Sequence, residues 1–374
     1  ETIKSGKLEV ASAAEGSTLD VNFSGINADD ISDVEKAMES AAEVVKAEGA
    51  AVTQKIEEGA IKGEITQTVD AQGNVGSVVQ KENQKLLSLN HVSALTAFQW
   101  RHDMNDLTKR MGELRMSPNG LGAWARVYGS ELQHDGVVAK NHSVQVGADA
   151  DVGFGWKVGT AFSYTDGSAA FGNGDADNKS YGLGIYGSWL AANGQFFDLI
   201  AKYNRLSTDY EISGMDAGFD NNAFSVSAEY GVHWKLNEVG FVEPQIEVTY
   251  GKVMGDDYQT SNGVRVQQDD YESLISRAGI RAGFYFPENR GVIYARGSVL
   301  HDFDGKSSSH VSLVENDAVN ETIEEDLGGT WYELGLGANF NLSKQTYTYV
   351  DLEKTFAGQV EEEWRFNLGI RTVF

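Results

Sequence analysis

The spacing of hydrophobic residues changes twice along the chain and divides it into three stretches. The first stretch, residues 1–82, is mixed. Residues 29–47 predict a short helix with acidic residues at its start, where they favour the positive end of the helix dipole. Residues 59–80 alternate apolar and polar positions on both sides of "DAQGN", which is typical of a hairpin. We expect a small, separate unit, and it contains no nucleophile motif of the G-x-S-x-G kind.

Residues 83–119 carry a helical pattern that ends at a helix-breaking segment. Apolar residues recur about every three positions and continue on one face, at Leu86, Leu89, Val92, Leu95, Phe98, Met104, Leu107, Met111 and Leu114. The segment "SPNG" (117–120) then breaks the helix with Pro and Gly. The helix also concentrates basic groups in an otherwise acidic chain, namely Arg101, His102, Lys109, Arg110 and Arg115.

From residue 120 to 374 the hydrophobic period becomes two, which indicates β-strands. Twelve strand-like segments begin near residues 121, 142, 155, 180, 194, 223, 240, 272, 291, 330, 345 and 363. Their turns alternate between short ones, such as residues 191–194, and long acidic ones, such as residues 302–328. An even number of antiparallel strands is what a closed single-chain bacterial barrel requires.

The two faces of these strands favour a membrane barrel over a soluble sandwich. In the last strand Trp364, Phe366, Leu368, Ile370 and Phe374 share one face, and Arg365, Asn367, Gly369 and Arg371 share the other. Strand after strand, the second face holds Arg, Glu, Gly or Asp, with aromatic residues near the strand ends. A polar lumen and a lipid-facing belt with aromatic girdles produce this pattern. A soluble β-sandwich, with the apolar face in its core, stays as the alternative.

Composition narrows the class further. The chain has 42 Gly, 3 Pro and no Cys, which suits many paired strands and excludes disulfides and thiolate metal sites. The net charge of −25 argues against a nucleic-acid partner, because binding phosphates requires a basic surface. No run of eighteen apolar residues predicts a transmembrane helix. The chain begins at Glu1 without Met or a signal peptide, so we expect it to be part of a longer protein.

Residues 95–374 resemble the translocator domain of type Va bacterial autotransporters, in particular the serine-protease autotransporters of enteric bacteria. The similar segments are "NDLTKRMGELR" (105–115), "GAWARVYG" (122–129), "VQVGAD" (144–149), "DLIAKY" (198–203), "VEPQIEVTYG" (242–251) and the terminal Phe374. The resemblance implies a twelve-stranded transmembrane β-barrel over residues 120–374 and a linker helix in its pore over residues 83–119. Residues 1–82 would then be the end of a passenger or stalk, or a folding-assist segment.

The resemblance also implies a role, a location and partners. The barrel would lie in the bacterial outer membrane, as a monomer, and mediate export of its own N-terminal passenger to the cell surface. Its partners would be outer-membrane lipid, the barrel assembly machinery, which would read the terminal Phe374, and periplasmic chaperones. Thr372 stands where that signal has a second aromatic residue. In the pore, Arg101, Lys109 and Arg110 would meet lumen carboxylates.

In the resembled subgroup the linker helix is cut inside the barrel between two Asn residues, by cyclisation of the first. Matching by motif places the reacting residue at Asn105 and the leaving residue at Asp106, where the subgroup has Asn. The activating carboxylate falls on Asp198, and two supporting carboxylates fall on Glu229 and Glu247. The alternation of each strand points these three acids into the lumen, where they would raise one another's pKa.

The alternatives are an uncleaved adhesin-type autotransporter whose passenger stays attached, and a plugged porin-like barrel. In both, the inward acids would only line the lumen. Any enzyme activity would be a single self-cleavage, and the sequence calls for no cofactor. Its seven His residues are scattered without H-E-x-x-H, so no metal site is expected. "NGDADN" (173–178) lacks the frame of a calcium loop and is interpreted as an outer-loop turn.

Overall fold

The computed structural model describes residues 7–14, 16–104 and 120–374. The chain forms two compact units. The first contains residues Glu1–Leu89, Gln259–Val266 and His310–Ile323, and the second contains Asn90–Tyr258, Gln267–Ser309 and Glu324–Phe374.

The small N-terminal region contains six strands and one helix. They are β1 (Leu8–Val10), β2 (Thr18–Asn27), α1 (Val34–Val44), β3 (Val45–Ala47), β4 (Ala51–Glu57), β5 (Ile65–Val69) and β6 (Val79–Gln80). β1 pairs in parallel with β3, and β2 pairs in parallel with β4. β4, β5 and β6 pair antiparallel, which confirms the hairpin-like pattern of residues 59–80. Met38, Ile56 and Ile65 are fully buried in the core that α1 packs against.

α1 is shorter than the sequence predicts, because two caps divide residues 29–47. Residues Ala28–Asp30 form a separate 3-10 turn whose first N–H groups are satisfied by Asn27. Asp33 then caps α1 by accepting the backbone N–H of Lys36. An Asp or Asn side chain that satisfies an orphan N–H group starts a helix at that residue. The predicted single helix is therefore a turn, a break and an eleven-residue helix.

Within the described residues, twelve long strands form a closed antiparallel barrel, as the alternation predicts. They are β7 (Gly122–His134), β8 (Val137–Gly153), β9 (Trp156–Phe171), β10 (Gly174–Leu190), β11 (Gln195–Ile212), β12 (Met215–Val232), with its two-residue continuation β13 (Trp234–Lys235), β14 (Gly240–Val253), β17 (Tyr271–Tyr285), β18 (Gly291–Asp302), β21 (Gly329–Asn341), β22 (Thr346–Phe356) and β23 (Glu361–Val373). Each strand pairs with the next along the chain, and β23 closes the ring on β7. Four short strands in the loops form another sheet: β15 (Asp257–Gln259), β16 (Val264–Gln268), β19 (Lys306–Leu313) and β20 (Asn320–Asp326).

The two faces of the barrel wall differ as the strand alternation predicts. Leu183, Ile185, Ile280, Leu334 and Leu336 are among the many large apolar side chains that are exposed on the outside. Arg277, Arg281, Arg365 and Arg371 are buried on the inside. A soluble sandwich would bury the apolar face instead. The structure therefore confirms the barrel and excludes the sandwich.

The outer turns between the first six barrel strands are shorter than the sequence predicts. β10 already begins at Gly174, so residues 174–178 are a paired strand rather than an outer-loop turn. The strands extend because buried apolar side chains, such as Phe171, Ala176 and Tyr210, continue their inner face. The hairpin between β7 and β8 consists of Asp135 and Gly136, both with positive φ, as a tight two-residue turn requires.

A second helix, α2 (Gln84–Asp103), precedes the barrel. Every residue from Val92 to Asp103 is buried, on all sides of the helix. The sequence predicts one buried face, but the polar positions Ser93, Gln99 and His102 are buried as well. A helix enclosed by a polar wall can bury both kinds of side chain, provided that the polar ones find partners. Among the residues that the structure describes, no helix has the length and apolar character needed to span a membrane.

Candidate functional site

The three predicted carboxylates lie side by side on one wall of the lumen. Asp198 on β11 is opposite Glu229 on β12, and Glu229 is opposite Glu247 on β14. Asp198 is 3% exposed while its neighbour Leu199 is 39% exposed, so the carboxylate faces inward as predicted. Neighbouring strands are about 4.8 Å apart, so the three residues form a continuous row.

An arginine from the next strand compensates part of this negative charge. Arg277 on β17 donates to Glu229 Oε2 at 2.8 Å and to Glu247 Oε2 at 2.7 and 3.0 Å. Its Nη1 also donates to Gln245 at 3.1 Å. Strand alternation alone places Arg277 on the inner face, but its partners depend on strand register. Glu229 and Glu247 therefore form a charge cluster with Arg277. The sequence predicts only that the three carboxylates of the row repel one another.

Asp198 occupies the end of the row. The hydroxyl of Ser188, on the neighbouring strand β10, donates to Asp198 Oδ1 at 2.5 Å. The same inner face of β11 carries Lys202 and Asn204, both buried. β11 thus presents the carboxylate of Asp198, the ammonium of Lys202 and the amide of Asn204 to the lumen, in that order along the strand.

Asp103, at the end of α2, lies in a cage of hydrogen-bond donors. Its carboxylate accepts hydrogen bonds from Thr165 at 2.9 Å, Ser180 at 2.6 Å, Asn204 at 2.8 Å and Tyr128 at 3.2 Å. The sequence analysis missed this residue. The available signal was a charged residue two positions before Asn105, but the hydrogen-bond donors around Asp103 come from four different strands.

Cationic side chains hold the last carbonyl groups of α2. Lys202 donates to the backbone oxygen of Asp103 at 2.8 Å, and Arg365 donates to that of His102 at 3.0 Å. Positive charge at the C-terminal end of a helix is favourable because the helix dipole is negative there. His102 itself lies between the hydroxyls of Ser130 and Ser143, at 2.5 and 2.7 Å.

Arg101 pairs with Asp302, a carboxylate that motif matching did not identify. Its Nη2 donates to Asp302 at 3.1 Å and to the backbone oxygen of Leu327 at 2.7 Å, and its guanidinium lies over the ring of Trp331. Asp302 ends β18, so it was outside the row that motif matching identified. Lys109 and Arg110, the other two predicted basic contacts, lie outside the described residues.

A cavity of about 90 Å³ lies beside the end of α2. Its lining includes Met104, Arg101, Glu247, Arg277 and Arg365. A cavity of this size and polarity has room for a few water molecules. Asn105 and Asp106 lie outside the described residues, but Asn105 is bonded to Met104, so the cavity and the suspect bond are neighbours along the chain.

The last residue, Phe374, is exposed and hydrogen-bonded to the residue before β7. Phe374 is 75% exposed, and its backbone N–H donates to the oxygen of Leu121 at 2.9 Å. It follows β23, the strand that closes the barrel. Its role as an assembly signal stays a prediction.

Comparison with known proteins identifies the barrel. The family profile "Autotransporter beta-domain" matches residues 119–353. Pertactin autotransporter from Bordetella parapertussis is 30% identical over 289 residues, which cover 73% of this chain and 31% of pertactin. Serine protease EspC from Escherichia coli O127:H6 is 30% identical over 282 residues, covering 73% of this chain and 22% of EspC. The chain thus spans less than a third of the length of these relatives.

Solved structures show the same fold at low sequence identity. The translocator domain of NalP from Neisseria meningitidis has a TM-score of 0.63 at 13% identity, over 78% of this chain and 100% of that one. The transport unit of AIDA-I from Escherichia coli has a TM-score of 0.60 at 15% identity, over 79% and 100%. Together with the closed twelve-stranded barrel and the family match, these findings show that the chain belongs to the autotransporter β-domain family of outer-membrane barrels.

Proposed function

We propose that this chain is the translocator domain through which an autotransporter exports its own N-terminal passenger, and that it cuts itself once between Asn105 and Asp106. The family match supports the first part, together with a helix that precedes the first barrel strand and whose last residues bond to side chains of the inner wall. The row of Asp198, Glu229 and Glu247 supports the second part.

The observation that carries the cleavage proposal is the cavity that joins the end of α2 to this row. Met104 and Glu247 line the same cavity, and Glu247 is in register with Glu229, which is in register with Asp198. The bond after Asn105 therefore begins one residue beyond a polar cavity that is bordered by carboxylates. Water has room in this cavity, Glu247 borders it, and Asp198 lies two strands away in the same row.

The reaction balances without a cofactor. The side-chain amide nitrogen of Asn105 attacks the carbonyl carbon of the same residue and forms a five-membered succinimide, while the bond to the nitrogen of Asp106 breaks. The amide proton passes to Asp198, directly or through one water molecule, and then to the departing amine. Water afterwards opens the succinimide to a C-terminal asparagine or isoasparagine, so the side-chain nitrogen is retained. A general base is required because an amide nitrogen is a poor nucleophile.

The surrounding residues have separate tasks in this scheme. Ser188 holds the orientation of Asp198 through its 2.5 Å hydrogen bond. Arg277 fixes Glu229 and Glu247, so these two carboxylates order water around the base instead of competing for its proton. Asp103, Lys202 and Arg365 anchor the end of the helix that precedes the scissile bond in the chain.

The experiment compares cleavage of the full-length protein with that of its Asn105→Ala variant. In outer-membrane fractions probed with an antibody against the C-terminus, the unmodified protein should yield a barrel fragment whose first residue is Asp106. Asn105→Ala should yield the uncut protein. Asn316→Ala is the matched control, because Asn316–Asp317 is the same dipeptide in an outer loop. A barrel that stays fused to its passenger in the unmodified protein would establish the permanently attached alternative.

A second pair of variants tests the assigned base. Asp198→Asn should slow cleavage by at least tenfold, in the range typical of a lost general base. Asp351→Asn is its control, because Asp351 is also a buried inward carboxylate but lies on β22, six strands away around the ring. Equal loss in both variants would assign the effect to the charge of the lumen rather than to Asp198. Heat-modifiable gel mobility reports whether each barrel is folded.

A further inference from the structure

Three segments that are distant in sequence bring metal-ligating side chains together beside α2. His91 lies on α2, Asp135 forms the hairpin between β7 and β8, and Glu325 lies near the end of β20. One ligand atom from each residue lies within 4.8 Å of the other two. All three belong to the same compact unit as the barrel.

The polar atoms of this cluster are buried but incompletely paired. The side chain of Glu325 is 9% exposed, and its Oε2 has no hydrogen-bond partner among the described residues. His91 Nδ1, 3.8 Å from Glu325 Oε1, also lacks a partner within the described part of the chain. Leaving such groups unsatisfied in the folded state is unfavourable, because each has lost its hydrogen bonds to water without a replacement. A ligand that accepts electron pairs from both would remove that cost.

A fourth residue positions Glu325 for this task. His134 Nε2 is 2.6 Å from Glu325 Oε1, and His134 Nδ1 is 2.5 Å from the backbone oxygen of Gln359. One carboxylate oxygen is thereby held by a neighbour while the other stays available. Metal-ligating carboxylates are commonly oriented by such hydrogen bonds.

The geometry points to a zinc-type divalent cation site formed by His91, Asp135 and Glu325. One imidazole nitrogen and two carboxylate oxygens suit Zn²⁺ and neighbouring transition metals, whereas Ca²⁺ and Mg²⁺ prefer oxygen ligands alone. Ligand atoms around a tetrahedral Zn²⁺ are about 3.3 Å apart, and the ligand atoms of this cluster lie within 4.8 Å of one another, so small side-chain rotations bring them to that spacing. Asp135 is exposed, so its side chain can rotate to complete the site. Water would occupy the fourth position.

Such a site would tie α2 to the barrel. Asn90 Nδ2 already donates to the backbone oxygen of Glu324 at 3.2 Å. This hydrogen bond joins the helix to the strand that carries Glu325 before any ion binds. A metal would connect the helix, the first hairpin and the loop strand at a single point. Because it binds the folded arrangement only, it would stabilise the docked helix.

The test is a titration of ZnCl₂ into the folded chain in detergent after treatment with a chelator. Isothermal calorimetry should show one saturable site, and Co²⁺ should give the visible absorption of a tetrahedral complex. Asp135→Asn, His91→Ala and Glu325→Gln should each lower the affinity by about tenfold or more. The first of these changes an exposed hairpin residue, so folding is not at risk. His301→Ala is the control, since His301 bonds to Thr330 outside the cluster.

The unfolding temperature provides an independent readout. Zn²⁺ should raise it in the unmodified chain and leave it unchanged in Glu325→Gln. Absence of a saturable site would refute the proposal and identify the cluster as a network of ion pairs. Binding with equal affinity in all three variants would refute it as well, because the ion would then lie elsewhere.

Discussion

The two ends of α2 are held in different ways. At the inner end, Arg101 and Asp103 are buried, and each makes several hydrogen bonds to the barrel strands or the residues that border them. At the outer end, Asn90 makes one 3.2 Å bond to a loop carbonyl, and its Oδ1 has no partner within the described residues. The strands thus fix the inner end, whereas loops hold the outer end more loosely.

The difference follows from the cost of burying charge. A carboxylate or guanidinium in a low-dielectric lumen is expensive to bury unless it is paired, so the charged groups at the inner end need several hydrogen bonds each. The outer end carries neutral or titratable groups beside loops, and it tolerates incomplete pairing. We therefore expect the loss of stability caused by a substitution to decrease from the inner end of α2 to its outer end.

Asp103→Ala should have the largest effect. It leaves four buried donors without their acceptor and should lower the free energy of unfolding by about 3–5 kcal/mol. Urea unfolding in lipid vesicles, followed by tryptophan fluorescence, measures this change. Single-channel recording should also show a more open pore, because the helix end is released. A closed pore and unchanged stability would contradict the assigned anchoring role.

Arg101→Ala should have the next largest effect. It removes the bonds to Asp302 and Leu327 and the contact with the ring of Trp331, and should cost about 1.5–3 kcal/mol. The same unfolding measurement applies. Asp302→Asn in combination should cost less than the two single changes added together, because the two residues form one pair. Additive effects would show that they act separately.

Gly251→Ala should act through the body of the helix. A Cβ at this position would lie 1.9 Å from the ring of Trp100, so the helix must shift, at a cost of about 1–3 kcal/mol. Gly297→Ala is the matched control, because its nearest neighbour is 3.6 Å away and nothing must move. Channel conductance compares the two. Equal conductance of the two variants would mean that a Cβ at residue 251 does not displace Trp100.

Asn90→Ala should have the smallest effect, about 0.5–1.5 kcal/mol, because a single partly exposed hydrogen bond is lost. In the presence of Zn²⁺ the effect should be smaller still, since the proposed site holds the same segment. Unfolding curves with and without a chelator measure both values. A loss as large as that of Asp103→Ala would overturn the contrast between the two ends.

For the candidate site, the sequence predicted which side chains of each strand point into the lumen. Asp198, Glu229 and Glu247 point inward because side chains alternate with a period of two, and this rule needs only the local sequence. It could not pair Arg277 with the two glutamates, because that pairing depends on which strands are neighbours and in which register. It also missed Asp103, whose donors lie on four strands.

The same limit explains the elements that differ from their predictions. Residues 174–178 look like a turn by composition, but their buried neighbours across β9 and β11 extend the strand through them. The scattered His residues gave no metal motif, yet His91, Asp135 and Glu325 meet in space. Composition and spacing describe short segments only, whereas these features join segments that are tens to hundreds of residues apart.

The sequence by itself therefore determined the twelve strands, the outward and inward faces and the helix before them, since each depends on local periodicity. The tertiary structure alone decided which charges meet: Arg101 with Asp302, Arg277 with two glutamates, and Asp103 with its donors. The physical reason is that closing the barrel removes the lumen from bulk water. Buried charges then need partners across the ring, and the register of the strands selects those partners.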